Sequence, residues 1–152
     1  MSAALSLINS SCSGASTGSV VSTVNGGTAN YSYAWNTGSF TPNLSNVIAG
    51  NYSLTITDAH SCSLVSNAVI TQPTPLNITL TKTDVACFGA STGSAALTTT
   101  GGTPSYNYLW HSGVATQSIS NVNAGSYSVT ISDAKSCSVS KHFSIGQPLV
   151  IQ

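Results

Sequence analysis

The sequence predicts an all-β protein built as two small β-sandwich modules in tandem, and three observations carry that expectation. The stretch Ala49 to Cys62, AGNYSLTITDAHSC, returns as Ala124 to Cys137, AGSYSVTISDAKSC. In the second copy Tyr127, Val129 and Ile131 alternate with Ser126, Ser128, Thr130 and Ser132, which is the period of two of a half-buried strand. The repetition is chain-wide. A shift of 75 residues, with no gap, places Cys12 on Cys87, Trp35 on Trp110, Asp58 on Asp133, Cys62 on Cys137 and Pro73 on Pro148. Roughly half of the aligned positions between the first cysteine and the last proline are identical, the mark of an internal repeat. Composition points the same way: Thr, Val, Ser and Gly abound while the straight-chain polar helix formers are scarce, a bias towards strand and turn.

Each copy reads as six or seven short strands. Leu76, Ile78 and Leu80 alternate in a first strand, whose place Met1 to Ile8 takes in copy one. Cys87 to Gly93 is a small-residue loop, Ser94 to Thr100 a second strand, and Gly101-Gly102-Thr103-Pro104 a turn. Tyr106, Tyr108 and Trp110 share one face of a third strand, as Tyr31, Tyr33 and Trp35 do in copy one, and Gly113 or Gly38 breaks it. Gln117 to Val122 is a short fourth strand, closed by the Asn123-Ala124-Gly125 turn. The opening stretch is the fifth strand, and Cys137 to Ile145 the sixth. Short strands with turn signals every 8–12 residues or so suggest an immunoglobulin-like sandwich. The modules are residues 1–73 and 74–152, with Gln72-Pro73-Thr74-Pro75 as linker because proline resists a continuous ladder. Gln147 to Gln152 reads as the beginning of the next repeat's first strand. The opening SAALSLINSS lacks the charged and long apolar regions of a signal peptide. A secreted protein would need such a signal upstream, so the chain reads as a piece of a longer one.

Charged residues are 4% of the chain, against about a quarter in a typical soluble domain. Lys82, Lys135, Lys141, Asp58, Asp84 and Asp133 are all of them. No cationic footprint for nucleic acid exists, nothing attracts an anionic membrane surface, and no stretch approaches the roughly 20 apolar residues of a membrane span.

A domain of this size has a small core and usually needs a staple. Cys12 and Cys62 are 50 residues apart, as are Cys87 and Cys137. Four cysteines allow three pairings, and the repeat favours Cys12–Cys62 with Cys87–Cys137. The alternative is that each cysteine is a small buried hydrophobe.

The landmarks Cys87, Gly89, Gly93, Ser94, Gly101, Gly102, Tyr106, Tyr108, Trp110, Gly113, Ala124, Gly125, Tyr127, Asp133, Ala134, Cys137, Gln147 and Pro148, with the same set from Cys12 to Pro73, resemble the SprB repeat of Bacteroidetes cell-surface proteins. Ser61 and Ser136 stand where that family usually has Gly, and Ala29 stands where copy two has Pro104. The resemblance implies a module of very long, repetitive adhesins of the gliding type, exported by the type IX route, with no catalytic residues to carry over.

Candidate sites are few. Gly14-Ala15-Ser16-Thr17-Gly18 and Gly89 to Gly93 fit the G-x-S-x-G nucleophile elbow, but no helix follows, and no histidine holds the same place in both copies. Asp58 and Asp133 read as turn residues that accept backbone N–H groups. One carboxylate per module is poor supply for Ca²⁺, which wants six to eight oxygens, and the scattered His and Cys lack zinc spacing, so no metal or cofactor is expected. Tyr31, Tyr33, Trp35, Tyr106, Tyr108 and Trp110 are either the inner layer of the sandwich or a stacking face for sugar rings. The expected function is therefore non-enzymatic: a structural repeat of a long extracellular adhesin or filament at the bacterial cell surface, with neighbouring repeats as partners. The alternatives are a polysaccharide-binding module using surface aromatics, and a fibre subunit that self-associates through strand edges.

Overall fold

The computed structural model describes residues 1–149, and they contain strands, turns and no helix. The chain divides into two units, Met1–Pro73 and Thr74–Gln152, and residues 71–76 between them carry no regular structure. The strand expected to begin within Gln147 to Gln152 falls partly outside the described residues, and residues 147–149 are irregular.

The first unit contains β1 (Ser2–Ile8), β2 (Gly18–Asn25), β3 (Ser32–Trp35), β4 (Leu44–Val47), β5 (Gly50–Thr57) and β6 (Ser63–Ile70). They form two three-stranded sheets, β1-β2-β4 and β3-β5-β6, with antiparallel pairing throughout. The second unit repeats this with β7 (Asn77–Thr83), β8 (Gly93–Thr100), β9 (Asn107–Trp110), β10 (Ser118–Val122), β11 (Gly125–Ser132) and β12 (Ser138–Ile145), in sheets β7-β8-β10 and β9-β11-β12.

Alternation decides which side chains meet. Along β5, Tyr52, Leu54 and Ile56 are buried while Ser53, Thr55 and Thr57 are only partly covered, as a pleated strand with one face on a core requires. Val20 and Leu44 of the first sheet pack against Trp35, Leu54, Ile56 and Ile70 of the second. In the second unit Ile78, Ala95, Leu97 and Ile119 meet Trp110, Val129 and Ile131. Each unit therefore has its own core between two sheets, which makes it a β-sandwich.

The strand order makes it immunoglobulin-like. The first, second and fourth strands form one sheet and the third, fifth and sixth the other, corresponding to strands A, B and E against C, F and G. Two further marks of that fold are present. Trp35 and Trp110, on the third strand of each unit, are 4% and 1% exposed. Tyr52 and Tyr127, near the start of the fifth strand, each donate a hydroxyl hydrogen bond of 2.8 Å to the carbonyl four residues back, Ile48 and Asn123. This is the tyrosine corner of immunoglobulin-like domains.

Each unit has two poles, set by the length of its strands. At the leading pole, the start of β1 lies beside the end of β2, where Ser2 pairs with Asn25, and Thr28 is hydrogen-bonded to Asp58 at the end of β5. At the trailing pole, the end of β1 runs into a turn that is tied to the end of β6. Ser10 N–H donates to the Thr71 carbonyl at 2.9 Å, Thr71 N–H to Asn9 Oδ1 at 3.0 Å, and Gly14 N–H to Gln72 Oε1 at 2.7 Å. The second unit repeats the device with Val85 N–H on the Gly146 carbonyl, Gly146 N–H on Asp84 Oδ1 and Gly89 N–H on Gln147 Oε1. The backbone thus begins each unit at one pole and finishes it at the other, and β1 and β6 run in the same direction.

Candidate functional site

The Asp residues brace the leading pole. Asp58 Oδ1 accepts the N–H groups of His60 and Cys62, each at 2.9 Å, and Oδ2 accepts that of Thr28 at 3.1 Å. Asp133 repeats this with Lys135 at 2.8 Å, Cys137 at 2.9 Å and Thr103 at 2.8 Å. One carboxylate therefore joins the β5–β6 turn to the β2–β3 turn. The Thr28 N–H foremost, with those of Cys62 and His60, holds the Asp58 carboxyl below its ordinary 3.8, against partial burial that pushes the other way. Asp133 is lowered in the same manner, by Thr103 first. Gly102 is part of this brace: its φ is +63, and a Cβ there would come within 2.7 Å of Asp133 Oδ2. With both oxygens taken by N–H donors the carboxylates have little left for a cation. Among the described residues no group of three or more His, Cys, Asp or Glu is placed to hold a metal ion.

The cysteines require a correction. The expected bridges Cys12–Cys62 and Cys87–Cys137 are not formed: Cys62 and Cys87 are exposed free thiols, whereas Cys12 and Cys137 are each disulfide-bonded. The reason is geometric. Cys12 lies in the β1–β2 turn at the trailing pole, where its carbonyl accepts Ala15 N–H and the Ser10 hydroxyl. Cys62 lies in the β5–β6 turn at the leading pole, where its N–H binds Asp58. The eight-residue β5 separates those poles by about 26 Å at 3.3 Å per residue, while a disulfide needs Cα atoms about 4.4–6.8 Å apart. Cys87 and Cys137 are separated in the same way by β11.

The third-strand aromatics belong to the interior. Trp35 and Trp110 lie in the cores, with Tyr31, Tyr33, Tyr106 and Tyr108 packed against them. Their polar atoms are used internally. Trp35 Nε1 donates to the Thr41 carbonyl and Trp110 Nε1 to Thr116, both at 2.8 Å. Tyr31 and Tyr106 hydroxyls donate to the Gly26 and Gly101 carbonyls. Tyr31, Tyr33, Tyr106 and Tyr108 are half-buried.

The two G-x-S-x-G segments are turns between antiparallel strands, with no helix after them. Their glycines have separate tasks. Gly14 and Gly89 hold φ +74. Gly18 and Gly93 mark crowded points, since a Cβ on Gly93 would meet Ile145 Cγ2 of the facing sheet and the carbonyl oxygen of Val122, its partner in the same sheet, both at 2.8 Å.

Sequence reasoning missed a surface concavity that occurs once in each unit. In the second unit His111, Tyr127, His142 and Phe143 line it with Ser126, Ser128 and Ser144, and its volume is about 510 Å³. In the first unit Asn36, Tyr52, Asn67 and Ala68 line it with Asn51, Ser53 and Val69, at about 270 Å³. No local signal marks it: Asn67-Ala68-Val69 against His142-Phe143-Ser144 is part of a run of six successive differences, from Leu64/Val139 to Val69/Ser144.

A family model described as "SprB repeat" matches residues 6–40 and 79–115. No curated protein matches the chain. Among solved structures, the chain is similar to one titled "Structure of amphioxus IgVJ-C2 molecule", with 15% identity, 94% of this chain and 96% of that chain covered, and a TM-score of 0.40.

Proposed function

Because the chain carries two SprB repeats in tandem, we propose that it is a non-catalytic spacer segment of an extracellular adhesin at the bacterial cell surface. The observation that carries this reading lies inside a single unit. The backbone enters at one pole and leaves at the other, tied at both ends by hydrogen bonds. A unit built in that way adds length each time it is repeated. The near absence of charge removes salt-dependent repulsion between successive copies. The expected partners are neighbouring repeats of the same parent. The finer reading, a gliding-type adhesin exported by the type IX route, rests on the family resemblance alone.

Small-angle scattering on the 152-residue chain and on its head-to-tail duplicate tests the spacer reading. Each added repeat should lengthen the particle by a constant step of at least the about 26 Å spanned by an eight-residue strand. A maximum dimension that grows only as the cube root of mass would overturn it.

A further inference from the structure

We propose that β6 of the first unit is an interaction edge, and that it pairs antiparallel with β6 of a second copy of this chain to form a symmetric dimer. This lateral contact goes beyond the spacer reading and does not rest on it.

The open backbone is the first ground. β6 is the end strand of its sheet, paired with β5 alone. Which of its groups face outward follows from its two ends. Asp58 N–H donates to the Cys62 carbonyl, so Cys62 and every second residue after it turn towards β5. Thr71 has the other parity. Its N–H goes to Asn9 and its carbonyl accepts Ser10 N–H, both on the side away from β5. Ser63, Val65, Asn67 and Val69 share that parity and present N–H and C=O groups outward, a template for a further strand. The tie to Asn9 and Ser10 closes the edge at Thr71 and leaves the stretch from Ser63 to Val69 open.

Self-complementarity is the second ground. With a two-fold axis at Val65, that residue lies opposite its own copy, and Ser63 lies opposite Asn67 on either side of it. The two residues of each such pair exchange both their hydrogen bonds, about six bonds in all. The partner strand then starts at its Ser63, opposite Asn67, short of the tie at Thr71. Val65 is 57% exposed and stands on the solvent face in line with Thr55 and Ala34. The dimer joins two such rows through a Val65–Val65 contact, and cross-strand pairs of β-branched side chains stabilise a sheet. Neither β5 nor β6 contains a charged residue, so no like charges meet along the ladder when the two edges close. The contact is isologous, and it closes at two copies.

The repeat supplies the third ground, a comparison inside the molecule. β12 holds Lys141 where β6 holds Ser66, and Ser140 where β6 holds Val65. Lys141 is exposed, yet it alternates with Val139 and Phe143, which pack on the core. An inward-pointing charge on an edge strand is a device against strand addition. In the same symmetric register two copies of Lys141 fall on diagonal positions about 7–8 Å apart and repel. The other edges of the first unit offer less. β3 and β4 are four residues long, and β4 pairs irregularly with β2. β1 is uncharged, but its solvent face carries Ser2, Ala4 and Ser6, which are too small to pack across a pair.

Sedimentation velocity on unreduced, alkylated protein tests the proposal, because alkylation stops the free thiols of Cys62 and Cys87 from cross-linking. Between micromolar and millimolar concentration the mean mass should rise from one chain to two. Ser66→Lys and, separately, Val65→Ser install residues that the second unit already carries at these places, so the fold should persist by circular dichroism. Each should weaken dimerisation, Ser66→Lys by about tenfold or more. Hydrogen exchange locates the contact. Raising the concentration should slow the amides of Ser63, Val65 and Asn67 and leave those of Ser138, Ser140 and His142 unchanged. A monomer at millimolar concentration, a dimer that both variants leave intact, or slowed amides on β1 in place of β6 would each overturn the proposal.

Discussion

Asp133 and its counterpart Asp58 show how much one side chain can organise in a molecule almost without charge. Each gathers three backbone N–H groups from two turns, and those donors favour the ionised form. Both carboxyls therefore titrate below 3.8 in the folded chain. A depressed folded value means that the folded state binds fewer protons than the unfolded one, so the contribution is complete above the unfolded value and is lost as pH falls through the folded one. Stability should be flat from pH 7 to about 5 and decline below about 4. Asp133→Asn sets an amide N–H against a backbone N–H. It should lower the unfolding midpoint at pH 7 and flatten the acid decline, measured by thermal melts across pH. An acid decline as steep as in the parent would contradict this assignment. The residue scale was partly legible. The Asp-to-turn pairing could be read from Asp133-Ala134-Lys135-Ser136, but its reach to Thr103, 30 residues back, could not, because it depends on which turns share a pole. Ser61 and Ser136 are also explained at this scale. Their φ angles of 62 and 64 lie in the left-handed region, where glycine is unstrained, and glycine is the residue the family resemblance leads one to expect there.

The strands themselves were the most legible feature, because period-two alternation is local and each core face announces itself. Leu76 to Thr81 overlaps β7 from Asn77 onward, Gln117 to Val122 contains β10, and Cys137 to Ile145 contains β12. Less legible was the spacing between sheets, which glycine reveals only through its neighbours. Gly93 begins β8 where the Val122 carbonyl and the Ile145 side chain close in from either side. Gly93→Ala should destabilise the second unit by about 1–3 kcal/mol, the usual cost of overpacking. That is a fall of several degrees in its melting midpoint, taking about 4–8 °C per kcal/mol for a domain of this size. Urea denaturation followed by Trp110 fluorescence measures it. No change would mean that the sheets part there at no cost, and the close approach would then explain nothing.

For the whole molecule, the repeat and its boundary could be read from the sequence, while cysteine pairing could not. Sequence separation treats Cys12 and Cys62 as mates; the sandwich sends them to opposite poles. Trypsin can read the result, since Lys82, Lys135 and Lys141 are the cleavage sites and arginine is absent. In unreduced, alkylated protein Cys62 and Cys87 should carry the label, while Cys12 and Cys137 should not. A bridge joining 83–135 to 136–141 would restore pairing within the second module.

The ties at the trailing pole have a mechanical consequence. The first and last strands of a unit run in the same direction, so a pull on its two ends slides one past the other. The Ser10–Thr71, Asn9–Thr71 and Gly14–Gln72 hydrogen bonds then bear the tension side by side and must rupture together rather than unzip in turn. Tension applied along the backbone of a unit therefore meets its toughest direction.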